Sequence, residues 1–454
     1  MVAQGVAEAG LEPGAGGAAP LATAAVPCAA ASQGLTGTTR DFRDPAGADL
    51  LARTQAFEVW RQQRATHGHW PYSRALHAAP ATETEITDAT GLPARGVNFA
   101  SQDYLSLATS DTLKHAAIEA IHRFGVHSAG SSAVLGNTTE SLALEAELAD
   151  FLQMPFVTLY PTGWAAGYGV TKGLVRPSDY VVLDALAHNC LMEGAYAATR
   201  KVSLFRHLDH DHLRQLLARI RAHDRDNAIL VITEGLFSMD ADVPDLTATQ
   251  AACREHGATL VVDVAHDLGA LGPGGTGSLG AQGLLGQVDL VMGSFSKTFG
   301  SNGGFVASRE ASVKQFLKVY SPSNTFSNAL SPAQAAAVRA ALAVVRSDRG
   351  EQLRQQLMAN ILALRSALQA QGLTVMGEPS PIVPVLVGEE AVARRAARLL
   401  PGHGVLANQV EFPAVPEGKA RFRLQVMAGH EFEQARRAAA GVGAAIATAR
   451  QACG

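Results

Sequence analysis

The feature that most constrains the fold is a series of short apolar segments separated by longer helical or loop stretches. Within them apolar residues follow one another without alternating with polar ones, which is typical of strands buried on both faces of a parallel sheet. Ligands of such sheets bind at the carboxyl ends of the strands. The sequence therefore predicts an α/β fold with its functional groups along one edge of a large sheet. The segments are 156–160, 180–183, 202–205, 229–233, 259–262 and 289–292.

The regions around this sheet predict a tail and a second lobe. The chain has 454 residues, 47% of them apolar, which is enough for two domains. Residues 1–45 are dominated by Ala, Gly and Pro, without Lys or Arg before Arg40, and we expect a disordered tail there. Three further regions are predicted: 46–106 as a segment that joins the small domain, 107–335 as the large domain, and 336–454 as the small α+β domain.

Local patterns predict the elements outside the large sheet. Folding is expected to begin near Ala48, with a helical face that includes Leu50, Leu51, Ala56 and Trp60. A glycine-rich segment at 124–136 is too irregular for a continuous helix. The other expected elements are a strand leading into a loop at 98–107, helices at 111–123, 140–152 and 332–373, and strands at 382–387 and 420–426.

Charge and cysteine content argue against several classes of partner. The formal net charge of −4 gives no indication of a nucleic-acid partner, and no apolar run reaches the ~18 residues that span a bilayer. Because Cys28, Cys190, Cys253 and Cys453 lie far apart, we expect neither disulfides nor a bound metal. The N-terminal residues lack the positive charge of a signal peptide. Together these observations predict a cytoplasmic protein.

One lysine stands just after the last apolar strand, in residues 288–305, which read VDLVMGSFSKTFGSNGGF. Ser294 and Ser296 precede Lys297, and three glycines follow that let the backbone approach closely. Burial among small residues lowers the pKa of an amine and frees its lone pair for Schiff-base chemistry. Since hydroxyls and glycines also suit a phosphate, this pattern favours a phosphate-bearing aldehyde cofactor over a lysine on a surface loop.

Polar residues after the neighbouring strands match what pyridoxal phosphate (PLP) requires. Asp263 follows a buried strand, where a carboxylate is costly unless it faces a cation such as a protonated pyridine nitrogen. His188 is the candidate for stacking on the ring, and His266 with Ser238 for binding the phenolic oxygen. A core position for His266 and a helix cap for Ser238 or Thr162 remain alternatives. A phosphate is bound well by backbone N–H groups at the start of a helix and by hydroxyl groups. The candidates for the N–H groups are Thr162, Gly163 and Trp164, and those for the hydroxyls are Ser294 and Ser296.

Three motifs carry a resemblance to a known family: DVAH at 263–266, GSFSK at 293–297 and EGLFSMD at 234–240. Together they resemble the α-oxoamine synthases, which include 8-amino-7-oxononanoate synthase, glycine C-acetyltransferase and serine palmitoyltransferase. The likeness extends from about Asn98 to His430. It implies PLP-dependent transferase fold type I, in which helices sandwich a large, mainly parallel sheet domain and a smaller α+β domain is attached.

The resemblance also implies residue roles. Lys297 binds PLP as a Schiff base and takes a proton from the substrate, Asp263 pairs with the ring nitrogen, and His188 stacks on the ring. Arg423 binds the substrate carboxylate, because a planar guanidinium binds a carboxylate through two hydrogen bonds. Asn98, where the likeness begins, is a second substrate-binding candidate.

The reaction implied by the resemblance is a decarboxylating condensation of an amino acid with an acyl thioester, carried by coenzyme A or by an acyl carrier protein, to give an α-amino ketone. An aminotransferase on the same fold is the alternative. A non-catalytic subunit is a further alternative, which the presence of Lys297 disfavours. Because active sites of the family lie between two subunits, we expect a homodimer in which Asn328 contacts the cofactor phosphate of the neighbour.

The sequence departs from the family pattern at several positions around the substrate. Ser132 stands where the family has arginine, Ser141 where it has histidine, and Asn328 where it has threonine. Gly167 replaces an asparagine and Cys190 a serine. Losing the arginine removes a partner for an acid group, so we expect an acyl donor without a free terminal carboxylate. The alternative is that another arginine, such as Arg61 or Arg74, replaces it.

Overall fold

The computed structural model describes residues 34–453. Its strands are β1 (Ala75–Leu76), β2 (Glu83–Thr87), β3 (Pro93–Phe99), β4 (Phe156–Tyr160), β5 (Tyr180–Asp184), β6 (Val202–Phe205), β7 (Ile229–Glu234), β8 (Thr259–Asp263), β9 (Leu290–Ser294), β10 (Gly304–Ser308), β11 (Ile382–Gly388), β12 (Val405–Val410) and β13 (Ala420–Gln425).

The helices lie between these strands and at both ends of the described chain. They are α1 (Gln55–Thr66), α2 (Asp111–Phe124), α3 (Thr139–Leu152), α4 (Gly163–Leu174), α5 (Asn189–Ala198), α6 (His210–His223), α7 (Leu246–Glu255), α8 (Gly277–Ala281), α9 (Ala311–Tyr320), α10 (Pro322–Thr325), α11 (Pro332–Val345), α12 (Asp348–Ala370), α13 (Glu390–Leu399) and α14 (Phe432–Cys453). Short 3₁₀ helices occur at Thr39–Phe42, Ala52–Thr54, Pro273–Gly275 and Leu400–His403.

A seven-stranded sheet contains all six of the apolar segments that the sequence predicted as strands. Its order is β4-β10-β9-β8-β7-β5-β6, and neighbouring strands from β9 to β6 run parallel. The sequence did not indicate β10, which pairs antiparallel with both β9 and β4. Gly303, just before the strand, and Gly304, its first residue, resembled a loop, although all five residues of β10 are buried. The mainly parallel sheet is therefore confirmed, with one antiparallel strand added.

Two hydrophobic cores lie on opposite faces of this sheet. Val182 and Val262 belong to one core, whereas Leu183 and Ile232 belong to the other. Because side chains of a strand point alternately to the two faces, both faces must be apolar when helices cover both. This arrangement explains why the strand segments show no polar alternation.

A six-stranded sheet joins the two ends of the described chain. Its order is β1-β2-β3-β12-β13-β11, so strands from residues 75–99 pair with strands from the C-terminal part. The predicted strands at 382–387 and 420–426 are present, while β12 and β2 were not predicted. The strand expected at 98–107 ends at Phe99, and a loop follows. The proposed boundaries at 106 and 335 stay predictions.

The N-terminal part differs from expectation. Residues 34–45 were assigned to the disordered tail, but they contain a 3₁₀ helix and are held by Arg394, which donates hydrogen bonds to the carbonyls of Leu35 and Gly37. Leu50 and Leu51 are exposed rather than buried, because the helix begins only at Gln55. The rest of the predicted tail, residues 1–33, lies outside the described residues.

Between residues 34 and 453, no helix combines the length and apolar character needed to cross a lipid bilayer. The same part of the chain contains no cluster of three or more His, Cys, Asp or Glu side chains suited to a metal ion.

Candidate active site

A cavity of about 250 Å³ lies at the carboxyl ends of β7, β8 and β9. The last residues of these strands, Glu234, Asp263 and Ser294, are brought together by the register of the sheet, in which Glu234 is directly opposite Asp263. Nine of the predicted site residues line this cavity: Thr162, Gly163, Trp164, His188, Asp263, His266, Ser294, Ser296 and Lys297. The structure therefore brings these nine residues together at the strand ends, and their roles stay predictions.

Lys297 lies in a tight loop between β9 and β10. Phe295 and Phe299 are buried on either side and pack edge to face, which anchors the loop. The N–H of Gly300 donates to the Lys297 carbonyl, and Gly300 has a φ of 59°, a conformation that favours glycine. Burial lowers the pKa of Lys297, although the charges of Asp263 and Glu234 partly oppose this effect. A larger fraction of the amine is thereby unprotonated and available as a nucleophile or proton acceptor.

Two carboxylates lie side by side beneath the lysine. Asp263 Oδ1 accepts a hydrogen bond of 2.9 Å from the Ala265 N–H, and burial raises the pKa of Asp263 to about 6 against the opposing charge of Lys297. Burial, followed by the charge of Asp263, raises the pKa of Glu234 well above its usual value. Because two adjacent buried carboxylates resist double ionisation, a nearby cation is needed to stabilise the ionised pair, and Asp263 is the member placed to face one.

Two histidines line the walls in neutral form. His188 precedes α5, and its Nδ1 accepts the Cys190 N–H at 3.2 Å as a helix cap. Burial, followed by the charges of Lys297 and Arg423, lowers the pKa of His188 to about 4. His266 Nδ1 lies 2.8 Å from the hydroxyl of Tyr104, and burial lowers the pKa of His266 well below its usual value. Both rings can therefore face a cofactor without adding positive charge.

One end of the cavity is suited to an anion. The hydroxyl of Thr162 accepts the Ala165 N–H and caps α4, which leaves the N–H groups of Gly163 and Trp164 without an acceptor in the helix. Ser294 Oγ and Ser296 Oγ are 2.8 Å apart at the same end. A Cβ on Gly163 would lie only 2.3 Å from Ser294 Oγ, so glycine is required for this close approach. Helix N–H groups with hydroxyls make a phosphate site.

Two predicted site residues lie beside this cavity rather than in its wall. The carbonyl of Ser238 accepts a hydrogen bond of 3.3 Å from Arg423 Nη1. Arg423 Nε is buried without a hydrogen-bond partner among residues 34–453, so this guanidinium retains donor capacity for a ligand. The binding of a substrate carboxylate by Arg423 stays a prediction, and so does the binding of the phenolic oxygen by the Ser238 hydroxyl.

Asn98 and Asn328 also lie apart from the cavity. Asn98 Nδ2 donates to the Ala81 carbonyl and to Ser101 Oγ, while its Oδ1 accepts from two backbone N–H groups. All its hydrogen-bonding capacity thus supports the loop, and this conformation leaves none for a substrate. Asn328 is exposed, and its Nδ2 lies 3.1 Å from His127 Nε2. Its contact with a neighbouring subunit stays a prediction.

Several lining residues received no role from the sequence. Behind the wall, Tyr104 contacts the lining residue His266 from a loop 162 residues away along the chain, a contact that no local pattern indicates. Glu234 is a polar residue at the end of a predicted strand, and this position could have identified it as a cavity residue. Other lining residues without a predicted role are Cys190, Ala265, Met292, Asn302 and Gly303.

Comparisons with known proteins agree with this geometry. The aminotransferase class I and II family profile matches residues 94–442. The chain is 38% identical to an 8-amino-7-oxononanoate synthase of Klebsiella pneumoniae over 343 residues, which is 76% of this chain and 87% of that protein. An enzyme of the same name from Geobacter sulfurreducens is also 38% identical, with 76% and 87% covered. A serine palmitoyltransferase from S. paucimobilis with a bound PLP–myriocin aldimine has a TM-score of 0.82 at 28% identity, with 89% of this chain and 100% of that chain covered.

Proposed function

This chain belongs to the aminotransferase class I and II family and, within it, to the α-oxoamine synthases, and we propose that it condenses an amino acid with an acyl thioester in a PLP-dependent reaction. The observation that carries the proposal is the single cavity that combines the Lys297 amine, the Asp263 carboxylate and the anion-binding start of α4. The relatives named 8-amino-7-oxononanoate synthase and serine palmitoyltransferase support the same reaction class.

The donor set of the cavity fits PLP. Lys297 would bind the aldehyde carbon, Asp263 the ring nitrogen, and the N–H groups of Gly163 and Trp164 the phosphate, with help from Ser294 and Ser296. His188 and His266 are neutral rings on the walls, suited to stacking and to the phenolic oxygen. When bound, PLP supplies an electron sink for negative charge at the Cα atom of an amino acid.

The chain's own groups handle protons and charge. Lys297 has a lowered pKa and a position in the cavity wall, so it accepts the Cα proton of the amino acid. Arg423, with its free Nε donor, would bind the substrate carboxylate until carbon dioxide leaves. A bond forms between the Cα atom and the acyl carbon, and the thiol of the donor is released. The product is an α-amino ketone.

A test of the reaction class separates the condensation from the alternatives. We expect product only when an amino acid and an acyl thioester are both supplied, with carbon dioxide released in equal amount. Mass spectrometry of products from a panel of amino acids and thioesters would identify the pair. Turnover with a keto acid and no thioester would instead indicate an aminotransferase. Absence of any turnover after PLP is added would indicate a non-catalytic subunit.

The acyl donor is proposed to end in an apolar group. Ser132, which replaces an arginine of the family pattern, donates to Asn324 Oδ1, and Ser141 closes the cap of α3. Of the two arginines named as replacements, Arg61 is tied to Glu58, whereas Arg74 donates to Asn408 and to a carbonyl. Competition between a dicarboxylic and an uncharged acyl thioester of equal length tests this. A tenfold preference for the dicarboxylic donor, about 1.4 kcal/mol, would overturn it and favour Arg74.

The active assembly is proposed to be a homodimer. Val134, Leu135 and Phe326 expose 83%, 86% and 88% of their surface beside the cavity-forming elements, and a cluster of exposed apolar residues marks an interaction surface. The two segments that carry them are joined by a hydrogen bond from the Ala329 N–H to the Gly130 carbonyl. Light scattering of active enzyme is expected to give twice the chain mass, and an active monomer would contradict the proposal.

A further inference from the structure

The sulfur of Cys190 contacts the ring of His188 in the wall of the cavity. Cys190 Sγ lies 3.0 Å from His188 Nδ1, and the same nitrogen accepts the Cys190 backbone N–H at 3.2 Å. A nitrogen that accepts from a backbone N–H does not itself carry a proton. The neutral ring therefore carries its proton on Nε2, and the thiol, 3.0 Å away, can donate a second hydrogen bond to Nδ1.

Electrostatics around the pair keep the proton on sulfur. Burial, followed by the charges of Asp263 and Glu234, raises the pKa of Cys190, so the thiol does not ionise. Burial and the charges of Lys297 and Arg423 lower the pKa of His188 to about 4. An imidazolium–thiolate pair is thus disfavoured from both sides. Because Nδ1 already accepts the Cys190 backbone N–H, the neutral thiol faces it as a second donor.

Two neighbours keep this pair in position. The backbone N–H of His188 donates to Glu234 Oε1 at 2.6 Å, which holds the main chain before α5. On the other side, Gly167 leaves room for the sulfur, because a Cβ there would lie 2.3 Å from Cys190 Sγ. Gly167 and Cys190 are both positions at which the sequence departs from the pattern it resembles. In the structure the two departures are in contact and complement each other in volume.

We propose that Cys190 is a positioning residue that holds His188 in the neutral form protonated on Nε2, with Gly167 providing the space for its sulfur. The free Nε2–H group then faces the cavity as a hydrogen-bond donor, since this nitrogen has no partner among the described residues. The inference rests on the proposed function, because it concerns how His188 acts on ligands in that cavity. Its test, however, does not require turnover.

The primary experiment reads the tautomer of His188 in the cofactor-free protein by NMR of ¹⁵N-labelled histidine. The His188 signals are assigned among the 15 histidines by comparison with His188→Gln. We expect only the Nε2–H form in the wild type. In Cys190→Ala the backbone N–H of residue 190, at 3.2 Å, is the remaining donor to Nδ1, and we expect a mixture in which the Nε2–H form is still the major tautomer. Cys190→Ser retains a donor and is expected to restore the Nε2–H form. Cys253→Ala, which removes another buried cysteine, is the control and is expected to change nothing.

A second experiment tests the contact with Gly167. Gly167→Ala is expected to displace the thiol and reproduce the tautomer mixture of Cys190→Ala, whereas adding Gly167→Ala to Cys190→Ala should have little further effect. In holoenzyme, Cys190→Ala is expected to lower kcat about fivefold to tenfold, as for one lost hydrogen bond, with Cys190→Ser close to wild type. Unchanged His188 signals in Cys190→Ala would overturn the proposal even if the condensation is confirmed. If the His188 signals change in Cys190→Ala but the wild type shows no condensation, the proposed function is refuted and the proposal about Cys190 is not.

Discussion

Two regions of the molecule bury charged side chains, and they treat those charges differently. The first, here called the anchor network, consists of Arg64, Arg394 and Glu411, whose side chains are 0%, 1% and 2% exposed. Glu411 accepts from both arginines and from Gln409, so its oxygens are fully used. The guanidinium of Arg64 also lies 4.9 Å from the ring centre of Trp60. Here the buried charges are compensated by opposite charge and by the hydrogen bonds to Glu411, although Arg64 Nε and Nη2 have no hydrogen-bond partner among the described residues.

The cavity of Lys297 leaves its charges only partly compensated. Two carboxylates are adjacent, and each accepts one backbone N–H, while the Lys297 amine makes no hydrogen bond within residues 34–453. The pKa values of Lys297, Asp263, Glu234 and His266 are shifted by burial. The difference teaches that incomplete pairing of buried charges, more than burial itself, distinguishes a reactive site from a structural one. Variants in each region test this distinction.

The largest effect is expected from Lys297→Ala. Activity should fall by about ten-thousandfold, because both covalent binding and proton transfer are lost. The stability of the cofactor-free protein should not fall, since an amine without a hydrogen bond is removed. Initial rates and mass spectrometry after borohydride treatment measure the two consequences, and Lys201→Ala, on the surface, is the control. Cofactor trapped on another lysine would refute the assignment.

Asp263→Asn is expected to have the next largest effect. Activity should fall by about a thousandfold, since an amide cannot stabilise a cation at the ring nitrogen. Because the pKa of Asp263 is raised to about 6 by burial, its replacement should not destabilise the fold at pH 8. Stopped-flow rates of proton loss from a deuterated amino acid measure the effect, with the exposed Asp211→Asn as control. Near wild-type rates would contradict the role of Asp263.

Glu411→Ala tests the anchor network. In contrast to the two cavity variants, it should lower stability and leave activity nearly unchanged. Two buried arginines would lose their carboxylate, which typically costs about 3 kcal/mol of unfolding free energy. Activity per folded molecule should stay within about twofold of wild type. Urea unfolding and rates at low temperature measure the two quantities, and Glu433→Ala, an exposed ion-pair residue, is the control. A loss of activity without a loss of stability would contradict the conclusion that the anchor network is structural and the cavity reactive.

The smallest effect is expected from Asp267→Asn, next to the cavity residue His266. Asp267 Oδ2 accepts the Ser278 N–H at 2.7 Å, but its buried Oδ1 has no partner in the described chain. Burial raises the pKa of Asp267 from 3.8 to about 6. The folded state therefore binds this proton more tightly than the unfolded state, and the wild type loses stability as pH rises through that interval.

In Asp267→Asn this pH-dependent loss should be absent. We expect the variant to be more stable by about 1 kcal/mol at pH 8, less than the full pKa shift represents, because the new amide N–H also needs an acceptor. The advantage should shrink toward pH 4. Thermal unfolding at several pH values measures it. An equal difference at every pH would show that ionisation of Asp267 is not the cause.

The sequence by itself determined six of the seven strands of the large sheet and the residues that follow them. Lys297, Asp263 and His188 were recognisable because a polar group directly after a buried strand is a local signal, and parallel strands bring their carboxyl ends to one edge. The same reasoning predicted an anion site at the start of α4. Such features depend on residues close together in the chain, so a pattern of a few positions is enough to reveal them.

Only the tertiary structure decided how distant parts meet. The antiparallel β10, the pairing of β3 with β12 and the contact of Tyr104 with His266 join segments whose own patterns do not name a partner. Asn98 proved to be saturated by the loop that follows it and by the Ala81 carbonyl, and residues 34–45 proved to be held by Arg394. In each case the deciding quantity is whether a buried donor, acceptor or charge finds its partner. That partner can be any residue along the chain, and folding alone selects it.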